Sequence, residues 1–586
     1  MNLLTYKRIF ATLLVLLVAI PVLAQNSNPL LQVNEAYSAG EIDINQAIIK
    51  QIEILRHSKH SHDHTESSGH IKCATPVLMM ANRHKDELTD ETQRMVDSFF
   101  STQPKFKLSQ DYVSESGKFR LSFETVGSDA VPSADNNGNA IPDYIEWAAE
   151  AADSSYRHEI ETLGFTDPIP PGQTYNISFE NLGGAYGFAT TDGTQPAGTR
   201  IVIENDFVGF PENTDPEGNQ KGALKVTIAH EFKHAIQYAM NNWSGESDSW
   251  AEMDATLMEE VVYDNVNDYY NYIAGFGGDL FSSPTSSLIP GSYEDITWAL
   301  YFHERYGEQI WPDIWTRIEA NPSISLLDAV SAEMTNIGTT FQEAAIESYV
   351  WHFASGSTNS ASSFGFEERE VYPSPTIRRN FTELQSEMSD TFVNTRFSAS
   401  YFVMDPTNSS DGLVKFDYQT SSADVQIGII VYKSDQTVET QYITSPISGA
   451  TQTINTDWKW NEIDRIGLVF VNTSTTVPSN FSFALADYFI NGIDTLDVPS
   501  AIELSQNFPN PFNPSTMIQL TLPSSQELSL KVYDYQGRLV QTLFEGTLNR
   551  GFHNVPFDAS NLASGIYFYT LVSEQGTQTK KMTLLK

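Results

Sequence analysis

The stretch from Thr227 to Tyr238, Thr-Ile-Ala-His-Glu-Phe-Lys-His-Ala-Ile-Gln-Tyr, constrains this chain more than any other. On a helix, positions i and i+4 stand on one face, so His230 and His234 can present two imidazoles to a single tetrahedral Zn²⁺. Ile228, Ala229, Phe232, Ala235 and Ile236 surround the pair, which predicts a buried helix that the rest of the domain must enclose. Lys233 breaks that apolar run and is expected to snorkel or face a cleft. Glu231 then sits beside the metal-bound water. Its expected role is general base: it accepts a proton from a water whose pKa zinc has lowered toward ~7, and the hydroxide attacks a peptide carbonyl.

A catalytic zinc needs a third protein ligand and an open position. The segment Trp250 to Glu260 has the periodicity of a second helix, and Glu252 lies 18 positions after His234, room for a loop and an antiparallel return. Glu252 ranks first as third ligand. Glu259, two turns on, is the competing candidate and otherwise orients a histidine from behind. Tyr293 precedes a further helix and is placed to donate a hydrogen bond to a tetrahedral oxyanion, though it reads equally as a packing tyrosine. The run Thr199 to Glu204 is a candidate edge strand for an extended substrate, the usual reading of such a run being an ordinary sheet strand.

At 586 residues the chain has room for about four domains at roughly 150 residues each. With 40% hydrophobic, 12% aromatic and 18% charged residues it should fold rather than stay disordered. Its 34 basic and 74 acidic residues give a net charge of −40, which argues against a nucleic-acid partner. Residues 1–24 read as a signal peptide: Lys7 and Arg8, an apolar run from Ile9 to Ile20, then Val22-Leu23-Ala24 before Gln25. That run is shorter than the ~20 residues a spanning helix needs, so no transmembrane segment is expected in the mature chain. Cys73 is the single cysteine, which excludes an internal disulfide.

Residues 25–104 are polar and hold six of the twelve histidines (His57, His60, His62, His64, His70 and His84), which suggests a pro-segment whose histidine cluster reads as a solvated polar tract rather than a weak metal site. Residues 105–374 mix strand and helix patterns and predict an α+β catalytic domain. Alternating runs punctuated by Ser, Thr, Asn and Asp over 375–490 suggest a β-sandwich, followed by a linker at 491–501 and a β-rich module at 502–586.

Asp135, Asn137, Asn139, Asp143 and Glu146 stand at positions 1, 3, 5, 9 and 12 of a calcium-type loop, with the Ile141 carbonyl at 7. Ala140 occupies the place of the usual turn glycine, so an EF-hand-like loop is expected without a helix-loop-helix pair. Cys73 stands ahead of the catalytic region. As a thiolate it is a candidate latency ligand for the open zinc position, the competing reading being an inert buried cysteine.

The His-His-Glu set resembles the gluzincin metalloproteases. His-Glu-Phe-Lys-His-Ala-Ile-Gln, followed by Trp and Glu-Met-Asp-Ala-Thr-Leu-Met-Glu-Glu, is similar to a group of bacterial secreted zinc metalloproteases over about residues 70–360. That resemblance implies Glu252 as ligand, while Asp254 and Leu257 depart from the family pattern. Asn507-Phe-Pro-Asn-Pro-Phe-Asn-Pro-Ser-Thr516, Val532-Tyr-Asp-Tyr-Gln-Gly-Arg-Leu-Val540, Ser564-Gly-Ile-Tyr-Phe-Tyr569 and Lys580-Lys-Met582 closely resemble the type A C-terminal sorting domain of the type IX secretion system. This second resemblance implies a small Ig-like β-sandwich recognised by the type IX machinery and a cell-surface or secreted destination.

The expectation is a multidomain exported zinc endopeptidase, a zincin-like α+β domain followed by a β-sandwich and a sorting domain, acting on proteins or peptides with Zn²⁺ and Ca²⁺. The alternatives are a secreted adhesin or binding protein with an inactive protease-like domain, and a non-peptidase zinc hydrolase.

Overall fold

In a computed structural model of the chain, residues 28–58, 70–100, 110–244, 250–273, 280–361, 363–382, 392–407, 411–444, 446–488, 502–507, 510–523, 526–548, 551–573 and 576–586 are described. The signal peptide, His60, His62, His64 and the 491–501 linker lie outside them, and the His57 side chain is not described either. The chain forms two compact units, Met1–Asp487 and Tyr488–Lys586. Helices and several β-sheets make up the first, and strands dominate the second.

The first unit is organised around a six-stranded sheet among the described residues: β1 (Ile71–Cys73), β2 (Gln110–Val113), β3 (Phe119–Phe123), β4 (Tyr175–Glu180), β5 (Ala185–Thr191) and β6 (Thr199–Glu204), in the order β1-β5-β6-β4-β3-β2. β3, β4 and β6 are parallel, and β5 runs antiparallel to β6. The sequence of β6, Thr-Arg-Ile-Val-Ile-Glu, is buried at every position, as expected of an interior strand covered on both faces. This corrects the expectation of an edge strand at Thr199 to Glu204: β5 and β4 pair with its two sides. The edges of the sheet are β1 and β2, and β1 pairs with the outer side of β5 in parallel register, Ile71 opposite Ala185 and Cys73 opposite Gly187.

Much of the expected pro-segment, residues 25–104, is helical. Helices α1 (Pro29–Ser38), α2 (Ile44–Ser58), α3 (Thr75–Arg83) and α4 (Asp90–Phe100) pack into the main core. In α2 the stripe Ile44, Ile48, Ile52 and Leu55 is buried at a spacing of three and four, the pattern of an amphipathic helix.

Two long helices cover the sheet beside the candidate site. α5 (Asp143–Tyr156) packs on β3 and on α6 (Asn219–Asn241), and α6 packs on β5 and β6 and carries both histidines. From Ala223 to Gln237 nearly every α6 side chain is buried, so this helix runs through the interior. α7 (Trp250–Val262) returns alongside it.

A sandwich does follow, with a five-stranded sheet (Arg379–Phe381, Ser398–Met404, Val425–Lys433, Val438–Ile443, Ile463–Asn472) facing a four-stranded one (Phe392–Asn394, Leu413–Thr420, Gln452–Lys459, Ser479–Tyr488). Phe402, Phe416, Phe470, Phe481 and Phe483 fill its centre. It is not a separate body. The five-stranded sheet lies so close to the helix Phe341–Phe353 that a Cβ on Gly428 or Gly467 would collide with Val350 or Phe353, and Ile430 and Val469 join the main core.

The second unit pairs a three-stranded sheet (Glu503–Leu504, Ser515–Leu522, Gly551–Asp558) with a four-stranded one (Gln526–Asp534, Leu539–Leu548, Gly565–Ser573, Gly576–Leu584). Leu520, Leu530, Val532, Tyr569 and Met582 close its core.

Candidate metal centre

α6 delivers His230 and His234 to one face, and the first turn of α7 delivers Glu252 to the same point. The two Nε2 atoms lie 3.1 Å apart, and the Glu252 carboxylate stands 3.3 Å from His230 Nε2 and 3.2 Å from His234 Nε2. β1 brings a fourth donor: Cys73 Sγ is 3.4 Å from His234 Nε2. All four side chains are buried and their donor atoms fall within 4.8 Å of one another. Zinc bonds of about 2.0–2.1 Å to nitrogen and 2.3 Å to sulfur put the edges of a tetrahedron at roughly 3.3–3.6 Å, so this donor set fits a zinc ion.

The far side of each imidazole is held. His230 Nδ1 meets Glu259 Oε1 at 2.9 Å, and His234 Nδ1 meets Gln237 Oε1 at 2.8 Å. Both acceptors favour a proton on Nδ1, which turns the Nε2 lone pairs toward each other. Such a confrontation is relieved by a metal ion between them, or by a proton on His230 Nε2 shared with Glu252. Glu259 therefore stands behind His230, and Glu252 stands on the Nε2 side.

The charges agree with this geometry. Burial alone would depress His230, but Glu252 and Glu259 outweigh it and raise it to about 10; burial alone would raise Glu252, but the two histidines outweigh it and hold it at about 2. Cys73 is pushed well up by burial and by Glu231 and Glu252, so its thiolate needs a metal to exist here.

Glu231 is fully buried on α6 beside the cluster, and burial raises its carboxyl while His230 and His234 pull it back. Thr75 Oγ1 donates to Glu231 Oε2 at 3.0 Å, so the segment carrying Cys73 also covers this carboxylate. β5 approaches closely here because Gly187 has no side chain: a Cβ would stand 2.9 Å from Thr227 Cγ2 and 3.3 Å from Glu231 Cγ. Tyr293, in the turn Tyr293–Asp295, is buried with its ring 5.1 Å from that of Tyr272. Its hydroxyl is pushed well up by burial and shares a hydrogen bond with the Lys72 backbone.

Lys233 neither snorkels nor faces a cleft. It is fully buried with Nζ 3.3 Å from Asp254 Oδ2 and 3.1 Å from the centre of the Phe165 ring. Asp254 also accepts from Gln237 and Trp315. The two positions that look irregular in the sequence, Lys233 and Asp254, thus answer each other.

Sequence reading did not single out Gln237, Thr75, Lys72 or Asp268. Gln237 was open to discovery, since it follows His234 by three positions on the same helix. Lys72 Nζ lies 2.9 Å from Glu259 and 2.5 Å from Asp268, and burial, which would strip its charge, is outweighed by these two carboxylates.

At the Asp135 loop, the Asp135 carboxylate accepts from the backbone N–H groups of Gly138, Asn139 and Ala140. Asn137 and Asn139 donate their amides to Glu146, in the first turn of α5, while Ile141 N–H donates to Asn139 Oδ1 and Asp143 accepts from Asn136. Ala140 takes φ +70°, the left-handed conformation expected of glycine at that loop position. The element before the loop is β3, so no helix-loop-helix pair forms among the described residues. A cation here requires the Asn137 and Asn139 amides to turn their oxygens inward.

Residues 506–584 match the secretion system C-terminal sorting domain. The chain thus carries a type IX export address to the cell surface or medium. Among the described residues no helix is long and apolar enough to cross a membrane. No curated protein matches the chain. Solved structures with partial likeness include the Endo-D glycoside hydrolase domain of Streptococcus pneumoniae R6 (8% identity, 35% of this chain and 36% of that one, TM-score 0.13). Two others come from Porphyromonas gingivalis: the type-IX surface component PorZ (16%, 20% and 15%, 0.12) and dimeric latent PorU (17%, 28% and 16%, 0.13). The chain spans well under two thirds of each.

Proposed function

We propose that the exported chain is a latent zinc endopeptidase, with His230, His234 and Glu252 as metal ligands, Glu231 as base, and Cys73 as the ligand that keeps it closed. The observation that carries this reading is the buried convergence of four donor atoms within 4.8 Å, with the proton-bearing Nδ1 atoms turned away and held. When bound, zinc supplies Lewis acidity toward water and a scissile carbonyl. Glu231, whose carboxyl burial raises, takes the proton of the attacking water and returns it to the leaving amine. Tyr293, already bonded to the backbone of the strand in the cleft, donates to the carbonyl oxygen as negative charge develops. Glu259 and Gln237 fix the histidine tautomers.

None of this can proceed while Cys73 and Thr75 cover the site, so activity requires β1 to leave β5. The closed donor set of one Cys, two His and one Glu also favours a second reading, a structural zinc in a secreted binding protein, because structural sites have no open position.

The test is zinc content per full chain, with casein hydrolysis before and after a mercurial blocks Cys73, beside Glu231→Gln. One zinc, hydrolysis after mercurial treatment, and loss of turnover by a factor of about 10³ or more with zinc retained in Glu231→Gln are expected. Zinc without turnover from a fully opened cleft would favour the binding protein. Absence of zinc would end both readings. We also propose that the Asp135 loop binds Ca²⁺; a thermal shift on adding Ca²⁺ that Glu146→Gln loses checks this, and no shift refutes it.

A further inference from the structure

β1 lies where an extended substrate would lie. It adds to the outer edge of β5, places one side chain on the metal donors and contributes backbone to the Tyr293 hydrogen bond. The neighbouring side chain, Lys72, enters an enclosed pocket. Its ammonium is paired with Glu259 and Asp268, and it stands 4.1 Å from the ring centre of Tyr186 and 5.7 Å from that of Tyr272. Tyr186 belongs to β5, and its hydroxyl bonds to Tyr272 at 2.8 Å and to Asp268 at 3.4 Å, so the aromatic walls and the acidic floor are tied together.

The charge arithmetic makes the pocket demanding. Two buried carboxylates share one ammonium while β1 is seated. If β1 leaves, as the peptidase reading requires, Glu259 keeps His230 and Asp268 keeps the Tyr186 hydroxyl, but both lose the ammonium they share in a site with aromatic walls, which is unfavourable. A cation on a long aliphatic stem, framed by two tyrosine faces, answers that demand.

We infer that the Lys72 pocket is a substrate subsite for a basic side chain, so that the enzyme cleaves a peptide bond directly flanked by lysine or arginine. This inference rests on the peptidase reading for its chemistry, but the pocket itself can be tested without turnover.

In the full chain, Lys72→Ala empties the pocket. Millimolar n-butylamine, which matches the lysine side chain, should raise its melting temperature where n-butanol does not, and Lys72→Ala with Asp268→Asn should lose the effect. Equal behaviour of the amine and the alcohol would overturn the subsite. Should Lys72→Ala not fold, the zinc-loaded natural chain opened with a mercurial is given a mixed peptide library, and the new termini are read by mass spectrometry. Lysine or arginine on one side of the cut should be favoured by about tenfold or more over leucine or glutamate, and Asp268→Asn should erase that preference. Hydrolysis without basic preference overturns the subsite and leaves the peptidase standing. Absence of zinc and of hydrolysis, with the amine still bound, overturns the peptidase and leaves the pocket.

Discussion

At the scale of single residues, the buried pair Lys233 and Asp254 shows how a site helix tolerates a charge in its interior. Lys233 is depressed by burial, and Asp254 and Glu159 pull it back toward the charged state. The Phe165 ring lies over its ammonium. Replacing Lys233 by Met keeps the volume and strands the Asp254 carboxylate, so a loss of about 3–5 kcal/mol is expected by urea denaturation. Adding Asp254→Asn should recover most of that loss, because the asparagine oxygen can still accept from Trp315. A double variant no more stable than the single one would show that the packing of Lys233, not its charge, is what matters. The same pair marks the limit of reading from sequence. Lys233 and Asp254 each look like an isolated irregularity, and only the packing of α7 on α6 turns two irregularities into one interaction.

At the scale of elements, the long periodic segments were legible and their neighbours were not. The second helix expected from Trp250 and the helix expected after Tyr293 appear as Trp250–Val262 and Ile296–Tyr306, because apolar periodicity is a local property. The position of a strand within a sheet is not local. Thr199 to Glu204 was legible as a strand, yet its place between β5 and β4 depends on residues far along the chain. In the sequence only Ile201-Val202-Ile203 hints at a strand covered on both faces; the burial of Thr199, Arg200 and Glu204 comes from the packing around them. Polar composition likewise hid α2, whose four-residue core stripe is diluted by Lys, Gln, Glu and Arg on its outer face. Within the candidate site, His230, His234 and Glu252 were legible from helix period and spacing, whereas the approach of Cys73 depends on β1 pairing with β5. That pairing rests on Gly187, which lets β5 lie against α6. Gly187→Ala would set a methyl 2.9 Å from Thr227 Cγ2 and 3.0 Å from the Val202 carbonyl oxygen. A loss of about 1–3 kcal/mol is expected in chemical denaturation, with faster thiol labelling of Cys73 as β1 loosens. Unchanged labelling together with unchanged stability would remove the close approach from the argument.

At the scale of the whole molecule, the donor set ties distant parts of the first unit to one point. Cys73 comes from β1, His230 and His234 from α6, and Glu252 from α7. With one cysteine in 586 residues, no internal disulfide can staple those parts together in an exported protein. A metal ion held by all of them would take over that role, because a ligand that binds only the folded state stabilises it by mass action. At a thousandfold excess of free metal over Kd the contribution is about 4 kcal/mol. The second unit, Tyr488–Lys586, has its own core and no candidate metal cluster among its described residues. Calorimetry of the full chain should therefore resolve two transitions. Chelation should lower the one belonging to Met1–Asp487 by several degrees and leave the sorting domain's transition where it was, and Cys73→Ala should shrink the gap between chelated and metal-loaded samples. If chelation moved neither transition, the four donors would be a buried polar cluster that satisfies itself without an ion. If it moved both equally, metal binding would act on something other than this centre.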